Sequence, residues 1–161
     1  MSALAALLCA SSAHAVILEE VHDVPVSVKT MYGQVVQHTI KVTVFHDSSR
    51  DQAPYLVLNH GRPANSEEFA TMGRVRYSDN ARYFVRQGFA VLVPTRVGYG
   101  ETGGPDVEYS GACDNRAYAP VFAAAADQTE AVLHAAADWP GVDAHRGLVV
   151  GQSYEIGRAH V

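Results

Sequence analysis

The sequence predicts an α/β domain whose sheet is mainly parallel and has an antiparallel N-terminal edge. Residues 24–30 and 35–45 alternate apolar and polar side chains, which is typical of half-buried strands. Three short apolar runs follow, and two helical segments separate them. Strands that alternate with helices in this way indicate parallel pairing within one sheet.

The first two strands are predicted to form a hairpin. Residues 31–34 (Met-Tyr-Gly-Gln) lie between them, and Gly33 is expected to take the positive φ of the turn. A polar loop over residues 47–52 then leads to the third strand at residues 54–59, a nearly continuous apolar run. Such a run predicts a strand that is buried on both faces, as in a parallel sheet.

Two helices are predicted before the fourth strand. Asn65 can cap a short helix, and Asp79 or Asn80 is expected to begin a longer one that ends at Gly88. The apolar residues 89–93 then predict the fourth strand, which is again buried.

Pro94 is expected to end the fourth strand, and a glycine-rich loop follows over residues 95–117. An Ala-rich helix is predicted over residues 118–138, before a fifth strand at residues 146–150. The helix has one apolar stripe at helical spacing, which consists of Val121, Phe122, Ala125, Val132, Leu133 and Ala136.

The composition is that of an ordinary globular protein. The chain has 161 residues, of which 48% are hydrophobic and 18% charged, and its net charge is −5. It has no basic cluster of the kind that nucleic acid requires, so we expect no nucleic-acid partner. Because α/β domains often run to roughly 200–250 residues, we expect the chain to be the front portion of a single domain.

Residues 1–15 have the pattern of a secretory signal. An apolar core at residues 3–10 is followed by Ala13 and Ala15, small residues at the positions that a signal peptidase inspects, so cleavage before Val16 is expected. The core is far shorter than the about 20 apolar residues that span a bilayer. No Lys or Arg precedes it, and an N-terminal helix of the mature domain is the alternative. With a signal, the protein is periplasmic or secreted and has no membrane contact after cleavage.

A serine follows the fifth strand in a Gly-x-Ser pattern. The segment Gly151-Gln152-Ser153-Tyr154 comes directly after the apolar run 147–150. A strand that leads into such a pattern is typical of a sharp strand-to-helix turn, which presents the serine hydroxyl for attack. The sequence therefore predicts a nucleophile at this position.

Residues 155–161 do not resemble the start of a closely packed helix. Glu155 stands where the pattern has a second glycine, and residues 156–161 resemble one reading frame of a common sequencing adapter. Glutamate and glycine codons share their first base, so an interrupted glycine codon would read as Glu155. We expect residues 16–154 to be the N-terminal part of one α/β domain, followed by a non-native tail at residues 155–161. A natural but divergent C-terminus is the alternative.

Two further motifs lie at the ends of the third and fourth strands. Residues 59–63 read Asn-His-Gly-Arg-Pro, and residues 94–104 read Pro-Thr-Arg-Val-Gly-Tyr-Gly-Glu-Thr-Gly-Gly. With the serine pattern, and in this order, they resemble the α/β-hydrolase superfamily over residues 24–154, closest to its dienelactone hydrolase and prolyl-oligopeptidase-like branch. The second motif departs from the family's "D-x-R-G-x-G-x-S" pattern at Thr95 and Val97.

The resemblance implies an α/β-hydrolase fold, of which this chain holds the first five strands. It also implies that Ser153 is the nucleophile, and that the backbone N–H groups of Arg62 and Tyr154 form the oxyanion hole. Losing one such donor typically costs roughly 3–4 kcal/mol of barrier. Pro63 has no N–H, which leaves Arg62 as the donor on its loop. The acid and the histidine of the triad follow the serine in this fold, so we expect them beyond these residues.

The implied function is hydrolysis of an ester, lactone or related acyl bond of a small molecule through an acyl-enzyme intermediate, with no cofactor. The 161-residue chain by itself is expected to be inactive, because it lacks the general base. One alternative is an exported serine aminopeptidase-like hydrolase. Another is a non-catalytic protein that keeps the fold for binding. The sequence leaves the oligomeric state open.

The remaining polar residues of interest are predicted to be structural. His60 is expected to brace its loop, and His134 and His145 to be solvated or hydrogen-bonded. The histidines show no paired metal-ligand spacing, so we expect no metal site. Arg96 is expected to anchor its loop, with contact to a substrate carboxylate as the alternative. The glycines of residues 98–104 lack the Lys-Ser/Thr of a phosphate-binding loop.

Cysteine use is sparse. Cys9 would leave with the signal, and Cys113 would remain alone in the loop after the fourth strand. A lone thiol in an exported protein suggests a disulfide with a cysteine outside this sequence. A buried free thiol is an equally good interpretation.

Overall fold

The computed structural model describes residues 16–63, 65–112 and 114–152. The predicted signal, Cys113, and the segment 153–161 lie outside the described residues. Within them the chain forms five strands and three helices, in the order β1 (Ile17–Lys29), β2 (Val35–Asp47), β3 (Gln52–Asn59), α1 (Ser66–Thr71), α2 (Ser78–Arg86), β4 (Ala90–Thr95), α3 (Tyr118–Ala136) and β5 (Gly141–Gly151).

The five strands form one mixed sheet with the order β1-β2-β4-β3-β5. β1 pairs with β2 and β2 with β4 in the antiparallel sense. β3 pairs with β4 and with β5 in the parallel sense. The predicted α/β class and its antiparallel N-terminal edge are confirmed, and two of the four described pairings are parallel. Because β3, β4 and β5 run the same way, their carboxyl ends meet at one edge of the sheet.

The predicted hairpin between the first two strands is present. Gly33 has a φ of 78°, and the N–H of Thr30 donates to the Gln34 carbonyl oxygen at 2.9 Å. The turn is therefore closed as the sequence predicts.

β1 begins at Ile17, before the predicted start at residue 24. Charged side chains interrupt the apolar–polar alternation between residues 17 and 23, so the sequence does not mark this half of the strand. Contacts with residues distant in the sequence hold it in the sheet. Arg76 donates to Glu19 at 2.7 Å, and this hydrogen bond holds the pKa of Glu19 below its ordinary value. On the same half of β1, the ring of His22 stacks on Trp139 with centroids 4.3 Å apart.

The sheet separates two apolar clusters, one on each face. Along β3, Val57 belongs to the cluster beneath α3, whereas Leu56 and Leu58 belong to the cluster beneath α2. β4 alternates in the same way, with Leu92 on the α3 side. Burial on both faces explains why these two strands read as continuous apolar runs.

α3 buries most, but not all, of its predicted stripe. Val121, Ala125, Val132 and Ala136 are buried, whereas Phe122 and Leu133 are only half-buried. The helix ends at Ala136, two residues before the predicted end, and its inner face also holds residues 124 and 128. In the described part of the chain, no helix combines the length and hydropathy needed to cross a membrane.

The helix starts are confirmed in one case and wrong in the other. Asn65 caps α1 as predicted, because its side-chain oxygen accepts from the N–H of Glu68 at 3.0 Å. α2 begins at Ser78 instead of at Asp79 or Asn80, and its N-cap residue is Tyr77, which makes no side-chain cap. The chain turns into this helix through a left-handed backbone at Tyr77, so no polar cap marks the start.

Gly88 ends α2 as predicted, with a φ of 99°. Pro94 was expected to end β4, but the strand continues to Thr95 and Pro94 pairs with Val42. The pairing of β4 with β3 stops at Leu92. Pro94 therefore lies beyond the last parallel rung, where a strand accepts a residue without an N–H.

The glycine-rich loop after β4 folds tightly against the segment after α1. Gly100 has a φ of 44°, and its N–H donates to the Phe69 carbonyl oxygen at 2.7 Å. A Cβ atom at Gly100 would lie 1.7 Å from the carbonyl oxygen of Gly73, whereas one at Gly103 would meet nothing within 4 Å. The close approach of two backbones requires glycine at position 100.

Gly100→Ala is expected to lower the free energy of unfolding by at least about 3 kcal/mol, because the clash with backbone adds to the strain of positive φ. Gly103→Ala is the matched control, since Gly103 also has a positive φ, of 63°, but open space around it. It should cost only about 1 kcal/mol. Urea unfolding of the two variants measures the difference, and equal midpoints would contradict the close approach.

Candidate functional site

The carboxyl edge of the sheet brings two of the predicted motifs together. Asn59, the last residue of β3, is the register partner of Gly151, the last residue of β5. The N–H of Gln152 donates to the Asn59 carbonyl oxygen at 3.3 Å. Ser153 and Tyr154 lie outside the described residues, so both stay predictions. The residue that precedes Ser153 is nevertheless tied to the start of the 59–63 loop.

His60 braces this loop, as predicted. Its side chain is 1% exposed, its Nδ1 lies 2.8 Å from the Gly61 carbonyl oxygen, and its Nε2 accepts from the N–H of Arg96 at 3.2 Å. An accepting Nε2 places the ring proton on Nδ1, which then donates to Gly61. The neutral imidazole therefore connects the loop after β3 to the end of β4.

Arg96 is an anchor and not a contact for a substrate carboxylate. It is fully buried and forms an ion pair with the equally buried Glu108, with Nε 2.6 Å from Oε1. Its Nη1 donates to the His60 carbonyl oxygen at 2.9 Å. The guanidinium thus holds the loop after β3 and the loop after β4 in one arrangement.

Glu108 is the centre of a buried polar network that the sequence did not reveal. The Tyr99 hydroxyl donates to its Oε2 at 2.8 Å. Burial, and then the charge of Glu108, raise the pKa of Tyr99, so the phenol stays protonated and donates. On α3, the side-chain oxygen of Gln128 accepts from the N–H of Val97 at 2.8 Å.

Only one of these missed residues had a signal in the sequence. Gln128 lies four positions after Ala124 and four before Val132, which places it on the buried face of α3. A buried amide on an apolar helix face predicts a polar partner. Glu108 reads as an ordinary loop carboxylate, and nothing local marks it as buried.

The side chain of Arg62 is fixed by hydrogen bonds and by a contact with an aromatic ring. Its Nη1 donates to Asp106 at 2.9 Å and to the Glu108 carbonyl oxygen at 3.1 Å, and its guanidinium lies 4.5 Å from the centre of the Phe69 ring. Burial lowers the pKa of this guanidinium, but the bonds and charges of Asp106 and Tyr99 outweigh burial and raise it. Because the side chain is fixed, the backbone at Arg62 is fixed with it.

Three cavities surround the 59–63 loop. The largest, of about 550 Å³, lies between Arg62, Phe69 and the glycine-rich loop. A second, of about 460 Å³, is lined by His60, Arg62 and Gln152 among others. A third, of about 390 Å³, lies at the ends of β3 and β5. The second cavity holds both the predicted donor Arg62 and the neighbour of Ser153, and it is the candidate site.

The other predicted polar residues lie elsewhere. His134 has a side chain that is 79% exposed and lies 3.6 Å from Glu130, and His145 is exposed as well. Both are solvated, as predicted. Across residues 16–63, 65–112 and 114–152, no three His, Cys, Asp or Glu side chains are grouped so that they could hold a metal ion.

Comparison with known proteins gives structural neighbours only. No protein-family profile matches the sequence, and no curated protein matches it. Acetyl xylan esterase 1 from Thermoanaerobacterium sp. is similar with a TM-score of 0.54 and 16% identity, over 91% of this chain and 47% of that one. A hypothetical protein from Pseudomonas aeruginosa is similar with a TM-score of 0.51 and 18% identity, over 84% of this chain and 35% of that one.

A structure of the esterase Est22 also matches, with a TM-score of 0.51 and 17% identity, over 84% of this chain and 35% of that one. These neighbours share the arrangement of the mixed sheet and its helices. The described residues form part of an α/β-hydrolase fold. The chain spans between about a third and a half of the length of these neighbours.

The α/β-hydrolase fold accounts for the place of the site. The strand order puts β3 between β4 and β5, so the loops that follow all three strands converge at one edge. Ligands of open α/β sheets bind outside the carboxyl ends of the strands. The candidate site, which is the cavity of about 460 Å³ lined by Arg62 and Gln152, lies at that edge.

Glu108→Ala is expected to lower the free energy of unfolding by about 3–5 kcal/mol, because it leaves the Arg96 guanidinium buried without its partner. Glu101→Ala in the same loop is the control, since the Glu101 side chain is 57% exposed. Its effect should stay within about 0.5 kcal/mol. Chemical denaturation measures both.

The double variant Arg96→Met with Glu108→Leu separates charge burial from packing. It should recover much of the stability that Glu108→Ala loses, since an apolar pair carries no desolvation cost. A Glu108→Ala variant as stable as the parent would contradict the buried ion pair.

Proposed function

We propose that the protein is a serine hydrolase that cleaves an ester, lactone or related acyl bond through an acyl-enzyme intermediate on Ser153. The observation that carries this proposal is the tie between Gln152 and Asn59, at 3.3 Å. It brings the residue before Ser153 to the start of the loop that contains Arg62. A nucleophile and an oxyanion donor must lie within a few ångströms of one reacting carbonyl group.

In the proposed reaction, the Ser153 oxygen attacks the carbonyl carbon and the π electrons move to the carbonyl oxygen. The N–H groups of Arg62 and Tyr154 stabilise this oxyanion. The oxyanion then re-forms the carbonyl and the bond to the leaving group breaks. The leaving group takes up the proton that Ser153 lost, and water releases the acyl group from Ser153. A donor is effective when it needs no reorganisation during the reaction. The bonds of His60 and Arg96 to the loop supply that rigidity.

A general base and its orienting acid complete the mechanism. The serine hydroxyl is a weak nucleophile until a base takes its proton. We infer that a histidine and an acid from sequence C-terminal to residue 154 supply these roles. We also propose that residues 1–15 direct the protein to the periplasm or the exterior.

Labelling with a fluorophosphonate tests the nucleophile. The protein is translated from the genomic reading frame that contains residues 1–154, and it is compared with its Ser153→Ala variant. We expect covalent labelling of the parent at Ser153, hydrolysis of p-nitrophenyl acetate, and neither in the variant. A folded parent that remains unlabelled would contradict the proposal and favour a binding protein with this fold.

A pair of substitutions at position 62 tests the oxyanion donor. Arg62→Ala and Arg62→Pro both remove the contacts to Asp106, but only the proline removes the N–H. We expect kcat of the proline variant to be lower than that of the alanine variant by about 10²- to 10³-fold. Circular dichroism verifies that both are folded. Equal kcat values in the two variants would remove the Arg62 amide from the mechanism.

A further inference from the structure

Tyr77 has an unusual backbone. In the described ranges it is the one residue other than glycine with a positive φ, at 45°, and its ψ of 43° places it in the left-handed helical region. This conformation costs roughly 1–2 kcal/mol for a residue with a Cβ atom, and it is rare for a bulky side chain. Glycine or asparagine would fill the position at a lower cost.

Two contacts fix Tyr77 in this conformation. Its carbonyl oxygen accepts from the N–H of Ala81 at 2.8 Å, which forms the first turn of α2. Its hydroxyl donates to the side-chain oxygen of Gln152 at 2.7 Å, and its ring packs against the apolar cluster beneath α2. The left-handed turn therefore directs the phenol toward Gln152, which lies 75 positions later in the sequence and directly before Ser153.

The Tyr77–Gln152 bridge lies where two cavities adjoin. The cavity of about 460 Å³ beside Arg62 is lined by both residues, and so is the cavity of about 390 Å³ at the ends of β3 and β5. The smaller cavity has apolar walls at Leu58 and Val150. Because the two side chains line both spaces and are bonded to each other, they form the partition between them.

We propose that Tyr77 is a specificity-determining residue, which with Gln152 closes the smaller cavity to the acyl chain of the substrate. This inference rests on the proposed function of Ser153. The substrate class that it implies is an ester or lactone with a short acyl group, which fits the cavity beside Arg62. A longer alkyl chain would have to pass the partition to reach the apolar walls of Leu58 and Val150.

Tyr77→Gly opens the partition, and the relief of backbone strain offsets part of the packing that is lost with the ring. We expect it to raise the ratio of kcat/KM for p-nitrophenyl octanoate to that for p-nitrophenyl acetate by at least about tenfold. Each methylene newly buried against apolar walls contributes about fourfold. Tyr77→Phe keeps the ring but lacks the hydroxyl, and its ratio should lie between those of the parent and the glycine variant.

Tyr83→Ala is the control, because Tyr83 lies on α2, the helix that Tyr77 precedes, with 56% of its surface exposed. It should leave the octanoate-to-acetate ratio unchanged. All variants are made in the protein translated from the genomic reading frame, and fluorophosphonate labelling counts the active molecules in each.

The outcomes separate this inference from the proposed function. A parent that neither takes the label nor cleaves acetate overturns both. A parent that does both, with an unchanged ratio in Tyr77→Gly, overturns only the role of Tyr77. A uniform loss for all esters in Tyr77→Gly also overturns it, since that result means a structural role alone. A parent that prefers octanoate to acetate overturns it as well.

Discussion

The arrangement of the site depends on the buried ion pair between Arg96 and Glu108. Removing two charges from water is costly, and the attraction between them offsets this cost only when every remaining donor and acceptor is satisfied. Here the guanidinium also bonds to the His60 carbonyl oxygen, and Glu108 accepts from Tyr99. The network has few alternative arrangements, so it fixes the loops after β3 and β4 relative to each other. Well-packed apolar residues often replace such a pair at no cost in stability, whereas removing one partner alone is strongly destabilising.

The sheet determines which loops this network can join. β1 and β2 form an antiparallel edge, and the parallel strands β3, β4 and β5 end on one side. Two apolar clusters on opposite faces position α2 and α3. The core thus supplies a rigid platform, and the polar residues that follow each parallel strand supply the chemistry. The site lies where three loops leave that platform.

Local patterns predicted the elements whose cause is local. The turn at Gly33, the cap at Asn65 and the apolar run of β3 each depend on a few neighbouring residues. The misses depend on partners distant in the chain. Glu108 is buried because Arg96 is there, and the start of β1 is held by Arg76. The left-handed turn at Tyr77 has no polar cap to mark it, and the phenol bonds to a residue at the far end of the described sequence.

The stacking of Trp139 on His22 provides a fluorescence signal for the folding of the protein. Trp139 is the single tryptophan of the chain. It stacks on His22 of the outer strand β1, with ring centroids 4.3 Å apart, and it lies just before the start of β5, whereas the site lies beyond the end of β5. Its fluorescence therefore follows the docking of β1 against the turn that leads into β5. Emission that changes before ellipticity during unfolding would mark β1 as the first part of the sheet to detach.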